Sequence, residues 1–124
     1  MIYLDTHVVV WLYVGDLSVF SPDTKRALDT TPLMISPVVA LELTYLYEIG
    51  RLRVPAATII DYLSTRIDLT TCDLPFEQVI TNAVNHTWTR DPFDRIIVGQ
   101  AAVHSRGLVT KDRSIREHYA QAIW

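Results

Sequence analysis

Apolar residues along this chain follow two rhythms. Short unbroken runs at 1–4, 33–36 and 108–110 match strands buried on both faces. Between them, apolar positions recur three and four residues apart, as on one side of a helix. The first run ends in Asp5, whose carboxylate emerges at the strand's C-terminal end. Thr6 is the expected cap of a helix over 8–13, stopped by Gly15 and Asp16. Ser21, Pro22 and Asp23 open a second helix that Thr31 and Pro32 end, and the strand 33–36 follows. Ser36 and Pro37 cap a third helix running to Gly50, and Pro55 opens a fourth through about Arg66. A strand over 67–72 leads to a fifth helix from Pro75 to near Asn85. Asp91 and Pro92 start a sixth, whose apolar run stops by Gly107. The strand 108–110, with Asp112 just beyond it, precedes a short helix over 114–119 and an edge strand over 122–124. No repeat, low-complexity tract or linker interrupts the pattern, so 1–124 is predicted to be one α/β domain with a mainly parallel sheet.

Two acids break the pattern from inside. On the sixth helix Asp94 shares its face with Ile97, Val98 and Ala101. On the third, Glu42 has Val38, Val39, Tyr45, Leu46 and Ile49 at spacings of three, four and seven. A buried carboxylate must hold its proton, pair with a cation or bind a metal. Asp94 also has a plainer explanation, because an acid in a first turn favours the helix dipole. Asp5 and Asp112 add two carboxylates at strand ends, where ligands bind in parallel sheets. The four acids Asp5, Glu42, Asp94 and Asp112 can therefore meet in one cleft, where their mutual repulsion would raise some pKa values. A set made only of oxygens selects a hard cation, Mg²⁺ or Mn²⁺. Such a site suits water-driven hydrolysis of a phosphodiester.

Around these acids, Thr6, Asp91 and Thr110 are candidates for holding the carboxylates in place. Arg90, Arg95, Lys111 and Arg113 flank them, either as salt bridges or as contacts to a phosphate backbone. Trp88 suits stacking on an unpaired base or a place in the core, and Trp11 suits the core. The third helix is apolar nearly all round. Leu41, Leu43 and Tyr47 are its candidate partner-facing residues.

Composition changes the picture little. Hydrophobic content of 49% and charged content of 20% are ordinary for a compact domain. The net charge of -3 opposes a polyanionic partner, yet binding a metal through four acids would remove that objection. One cysteine, Cys72, excludes an internal disulfide framework and fits a reducing cytoplasm. The apolar run 8–14 lacks a basic leader and is too short to span a bilayer, so a membrane location is not expected. His7, His86, His104 and His118 show no metal-binding spacing, and no glycine-rich phosphate loop is present.

Four blocks in fixed order carry a family resemblance: YLDTHVVVWL near the start, ISPVVALEL through Leu43, DPFDRIIVGQA from Asp91 to Ala101, and LVTKD from Leu108 to Asp112. Together they make the chain resemble PIN-domain ribonucleases of the VapC type, the toxin half of toxin–antitoxin pairs. The resemblance implies a Rossmann-like α/β fold with sheet order 3-2-1-4-5 and helices on both faces. It also implies Mg²⁺- or Mn²⁺-dependent endonucleolytic cleavage of single-stranded or structured RNA, with a VapB-type antitoxin blocking the site and a homodimeric assembly. The family's catalytic, metal-binding acids fall on Asp5, Glu42, Asp94 and Asp112. The rival reading is a non-catalytic interaction module whose acids hold a structural cation. An aspartyl-phosphate phosphatase is disfavoured, because His7 stands where a second acid is needed.

Overall fold

The computed structural model describes residues 1–124. Strands β1 (Ile2–Leu4), β2 (Leu33–Ile35), β3 (Thr70–Thr71), β4 (Gly107–Val109) and β5 (Ala122–Ile123) form a single sheet in the order β3-β2-β1-β4-β5. All four neighbouring pairs are parallel. The helices are α1 (Thr6–Val14), α2 (Pro22–Thr30), α3 (Pro37–Glu48), α4 (Ala56–Ile67), α5 (Phe76–Ala83), α6 (Pro92–Ala102) and α7 (Arg113–His118). This is the Rossmann-like arrangement, with the expected strand order. From β1 the chain steps outward to β2 and β3, then returns to lay β4 on the other side of β1. Crossovers between parallel strands are right-handed in nearly all folds, so reversing the direction of travel puts helices on both faces. It also opens a crevice at the C-terminal ends of β1 and β4.

The core explains why the strands can be so short. Leu4, Ile35, Leu108 and Val109 are fully buried in the sheet, and Val8, Val9, Val39, Leu43, Ile59, Ile97 and Val98 cover them from the helices. Helix starts follow local chemistry. Ser21 accepts a hydrogen bond from the Thr24 amide, Ser36 from the Val38 amide, and Asp91 from the amides of Phe93 and Asp94. Each of these caps is followed by proline at the first helical position.

Several boundaries differ from the sequence expectation. Helix α1 starts earlier because Asp5, not Thr6, is the cap, accepting from the Thr6 amide. β3 is shorter because Ile67 completes α4, and Asp68 then turns the chain with a left-handed φ of 54°. A 3-10 turn at Leu17–Val19, capped by Asp16, was not signalled by apolar spacing. Leu43 is the main correction. It is fully buried, whereas Leu41 and Tyr47 are exposed. At about 100° per residue, Leu43 lies roughly 200° around the helix from Leu41. It belongs to the core stripe, and no partner can reach it.

α5 and α6 pack closely because Gly99 lacks a side chain. A Cβ there would lie 3.0 Å from the backbone N and Cα of Ala83 and from its Cβ, and the backbone has little room to yield. We predict that Gly99→Val lowers stability by roughly 1–3 kcal/mol through overpacking. A lower urea midpoint at unchanged slope would register the loss. An unchanged midpoint would mean that the two helices part without penalty.

Candidate active site

The C-terminal ends of β1 and β4 bring Asp5 and Thr110 together. The Asp5 amide donates to the Val109 carbonyl at 3.0 Å, which fixes its backbone in the ladder. Its side chain accepts from the Thr6 amide at 2.8 Å and from the Thr110 hydroxyl at 2.6 Å. The Thr110 oxygen in turn accepts from the Asp112 amide at 3.0 Å. Asp5 is only 6% exposed, and burial pushes its pKa up despite the two hydrogen bonds. The Asp112 charge adds to the rise.

Glu42 projects from the second turn of α3, past the end of β2, and is half-buried. The Thr6 hydroxyl donates to Glu42 Oε1 at 2.5 Å. Thr6 thus touches one acid through its amide and another through its hydroxyl. Burial raises the Glu42 pKa, the Thr6 hydrogen bond opposes that, and the charges on Asp5 and Asp91 push it further up. Asp94 stands in the first turn of α6, above the buried face formed by Ile97, Val98 and Ala101. Its pKa is pushed up to about 7, first by burial and then by the charges of Asp91, Asp5, Asp112 and Glu42. Acids from β1, α3, α6 and the loop after β4 therefore feel one another across one end of the sheet.

The remaining two acids have helix-capping duties. Asp91 Oδ1 accepts from the Phe93 and Asp94 amides at 2.8 and 3.3 Å, and Asp112 Oδ1 accepts from the Ile115 amide at 2.9 Å. Both are exposed. No three acids, histidines or cysteines gather into a ready-made coordination shell. This still fits a hard divalent ion, because Mg²⁺ keeps several waters and is usually bound through only one or two carboxylates. The donor set fits as well, being all oxygen. Asp5, Glu42 and Asp94 are the residues able to hold such an ion, with Asp112 beside them.

The flanking bases are less free than their sequence positions suggest. The Arg95 guanidinium donates to the carbonyls of Ala83 and Val84 at 3.2 and 2.8 Å, finishing α5. Arg113 pairs with Glu117 at 3.0 Å, and Arg90 donates to the Thr87 carbonyl at 2.9 Å. Trp88 is half-buried, with its ring stacked on His118 at 5.0 Å and an interplanar angle of 4°. Sequence reasoning missed two groups. One is a set of mutually packed aromatic rings, Trp11, Phe20 and Trp124, with Lys111 over the two indoles. Three aromatics far apart in sequence give no spacing signal, so only the fold could join them. The other is Gln100, buried on α6 with its Nε2 unpaired. A polar residue amid Asp94's apolar neighbours, between Val98 and Ala101, was the available hint.

Comparisons agree with this fold. VapBC2 from Rickettsia felis, solved bound to a promoter DNA fragment, matches with a TM-score of 0.66 at 18% identity, over 99% of this chain and 96% of that one. A toxin–antitoxin complex from Klebsiella pneumoniae matches at 0.63 with 17% identity, over 100% and 97%. FitAcB from Neisseria gonorrhoeae matches at 0.56 with 19% identity, over 100% and 96%. No curated protein sequence matches. The family model of the PIN domain matches residues 2–121, from the first strand to the turn before the last, and the chain belongs to the PIN-domain family.

Proposed function

We propose that this PIN domain is a VapC-type toxin, an Mg²⁺- or Mn²⁺-dependent endoribonuclease that works in the cytoplasm and is inhibited by a VapB-type antitoxin. One observation carries the reading: Asp5, Glu42 and Asp94, from three separate elements, are all pushed toward protonation, first by burial and then by the charges of neighbouring acids. Carboxylates in that condition gain most from a divalent cation. The solved relatives described as toxin–antitoxin or VapBC complexes support the partner. No helix is long and apolar enough to cross a membrane.

When bound, the cation would acidify a water and neutralise charge developing on the phosphate. The chain's own part is to hold the acids. Thr110 keeps one Asp5 oxygen aimed and Thr6 keeps Glu42 beside it, while the buried apolar residues Ile97, Val98 and Ala101 anchor the helix that carries Asp94. Water is the nucleophile. Cys72 is buried under the Tyr3 hydroxyl, which donates to its sulfur, so it has no access to substrate.

A second copy of the chain is the partner proposed for the apolar face of α3, α5 and α6. Leu41 and Tyr45 on α3, and Ile49 just past its end, recur every fourth residue and are 49–60% exposed, and Phe76 on α5 is 70% exposed. Beside them lies a groove lined by Val38, Leu74, Val79 and Ile96, with buried Gln100 at its wall. Knob and groove on one patch suit the self-complementary contact of a two-fold dimer.

Asp94→Asn and Asp5→Asn are expected to lower RNA cleavage by roughly a thousandfold or more while the fold persists, since several kcal/mol of charge stabilisation disappear. Thr110→Val, which only loosens Asp5, should cost about 10–100-fold. Sequencing gels of purified variants check all three. Full cleavage by a contaminant-free Asp94→Asn protein would end the proposal, and stabilisation by Mg²⁺ with no RNA fragments would favour the interaction-module alternative.

Stability should follow pH in an unusual direction. Asp94 titrates at about 7 in the fold against 3.8 ordinarily, so between those values the native state holds the extra proton. Metal-free protein therefore loses stability as pH rises through that window, and Asp5 and Glu42 act in the same sense. Mg²⁺ should raise the melting temperature more at pH 8 than at pH 5. A metal-free melting temperature that climbs from pH 5 to 8, with Asp94→Asn showing the same climb, would contradict this.

A further inference from the structure

Resting on the nuclease reading, we propose that Lys111 is the cation that holds a phosphate of the RNA beside the acid cluster, and that Trp11 and Trp124 position it. Of the four bases flanking the acids, three are tied up: Arg95 on the end of α5, Arg113 on Glu117, and Arg90 on the Thr87 carbonyl. Lys111 is different. It is exposed, and the chain's two ion pairs, Arg26–Asp23 and Arg113–Glu117, do not include it. Its Nζ lies instead 5.8 Å from the ring centroid of Trp11 and 5.9 Å from that of Trp124. The two indoles stand 5.9 Å apart at 50°, so the ammonium sits above the notch between them. Phe20 meets both rings edge-on at 6.3 and 5.5 Å and keeps the notch in shape.

The fold sets this up through β5. The Thr110 amide donates to the Ile123 carbonyl at 3.1 Å, which brings the following residue, Trp124, alongside Lys111. Lys111 itself lies between Thr110, which holds Asp5, and Asp112. An ammonium resting on indole faces is attracted within about 6 Å of a ring, yet its N–H donors stay available to an anion. A lysine side chain otherwise loses considerable freedom on binding, and the rings remove part of that loss beforehand. A phosphodiester matches this compact positive charge, which the chain carries on the residue joining Thr110 to Asp112 and so next to the acids.

The test uses the full chain in an Asp94→Asn background, so that RNA is bound and not cut. Binding of a fluorescent single-stranded RNA of mixed sequence is followed by anisotropy across a salt series. Lys111→Met should weaken binding severalfold and reduce the slope of log K against log salt by about 0.7, the value for one lost contact to a single strand. Trp124→Leu should weaken binding when Lys111 is present and add nothing to Lys111→Met, and Trp124→Phe should restore most of the loss. The ε-methylene protons of Lys111 should resonate upfield in the parent protein and less so in Trp124→Phe, which decides the positioning claim if Trp124→Leu fails to fold. An unchanged salt slope in Lys111→Met overturns the inference. So does a Trp124→Leu loss of equal size in both backgrounds. If the wild-type protein cuts RNA while Lys111→Met binds as its parent does, the inference falls and the nuclease reading stands. If the wild type neither binds nor cuts RNA, both fall.

Discussion

Asp5 is a carboxylate 6% exposed at the point where two parallel strands end, and the rest of the site is arranged around the difficulty of keeping it there. Burial works against its charge, and two hydrogen bonds, from the Thr6 amide and the Thr110 hydroxyl, offset only part of that. Its backbone cannot move away, because the amide is locked to Val109 in the ladder between β1 and β4. An isolated buried charge costs several kcal/mol or more, so a group held in this way must hold its proton or find a cation.

The helices intensify the problem. Each of α3 and α6 carries its acid over a face whose apolar residues are committed to the core: Val39 and Leu43 on α3, and Ile97, Val98 and Ala101 on α6. Rotating either helix to release its carboxylate would drag those residues into water, at about 1.5–3 kcal/mol for each large side chain. The close contact between Gly99 and Ala83 fixes α6 against α5 as well. Core packing therefore holds the like charges near one another, and stability gained in the interior sustains a strained site at the edge. Proteins commonly concentrate such conflict where they function.

Much of this was legible in the sequence. The alternation of short apolar runs and helical stripes marked every element of the sheet; Glu42 and Asp94 stood out because acids interrupted apolar faces, and Asp5 because it follows directly on a buried strand. The failures have physical causes. Leu43 was grouped with Leu41 because the helix looked apolar all round, although about 100° per residue places them on opposite sides. Asp5 caps α1 where Thr6 was expected, since the strand ends without a spacer and the first side chain past it reaches the Thr6 amide. The spacing along α3 could not show that Tyr45 and Ile49 stay exposed while Val39 is buried, because that depends on where α4 and α6 lie against it. Nor could it show Trp124 meeting Trp11, because the last strand's pairing with β4 is a tertiary fact.

The five acids near the sheet's end divide into two kinds, and the division bears on what each can do. Asp91 and Asp112 are exposed, and each gives one oxygen to helix amides, an arrangement already favourable to a negative charge at a helix start. They need no cation for their own sake. Asp5, Glu42 and Asp94 are buried or half-buried, and no lysine or arginine forms an ion pair with any of them. Two of the three have a threonine hydroxyl as their strongest support, a neutral donor that orients a carboxylate without neutralising it. A site built to keep its acids quiet would have placed an arginine among them. Here the guanidinium of Arg95, the residue after Asp94, is spent on the carbonyls at the end of α5. The carboxylates are thus aimed while no base of the chain forms an ion pair with them, which leaves each either to keep its proton or to take its balancing charge from a cation.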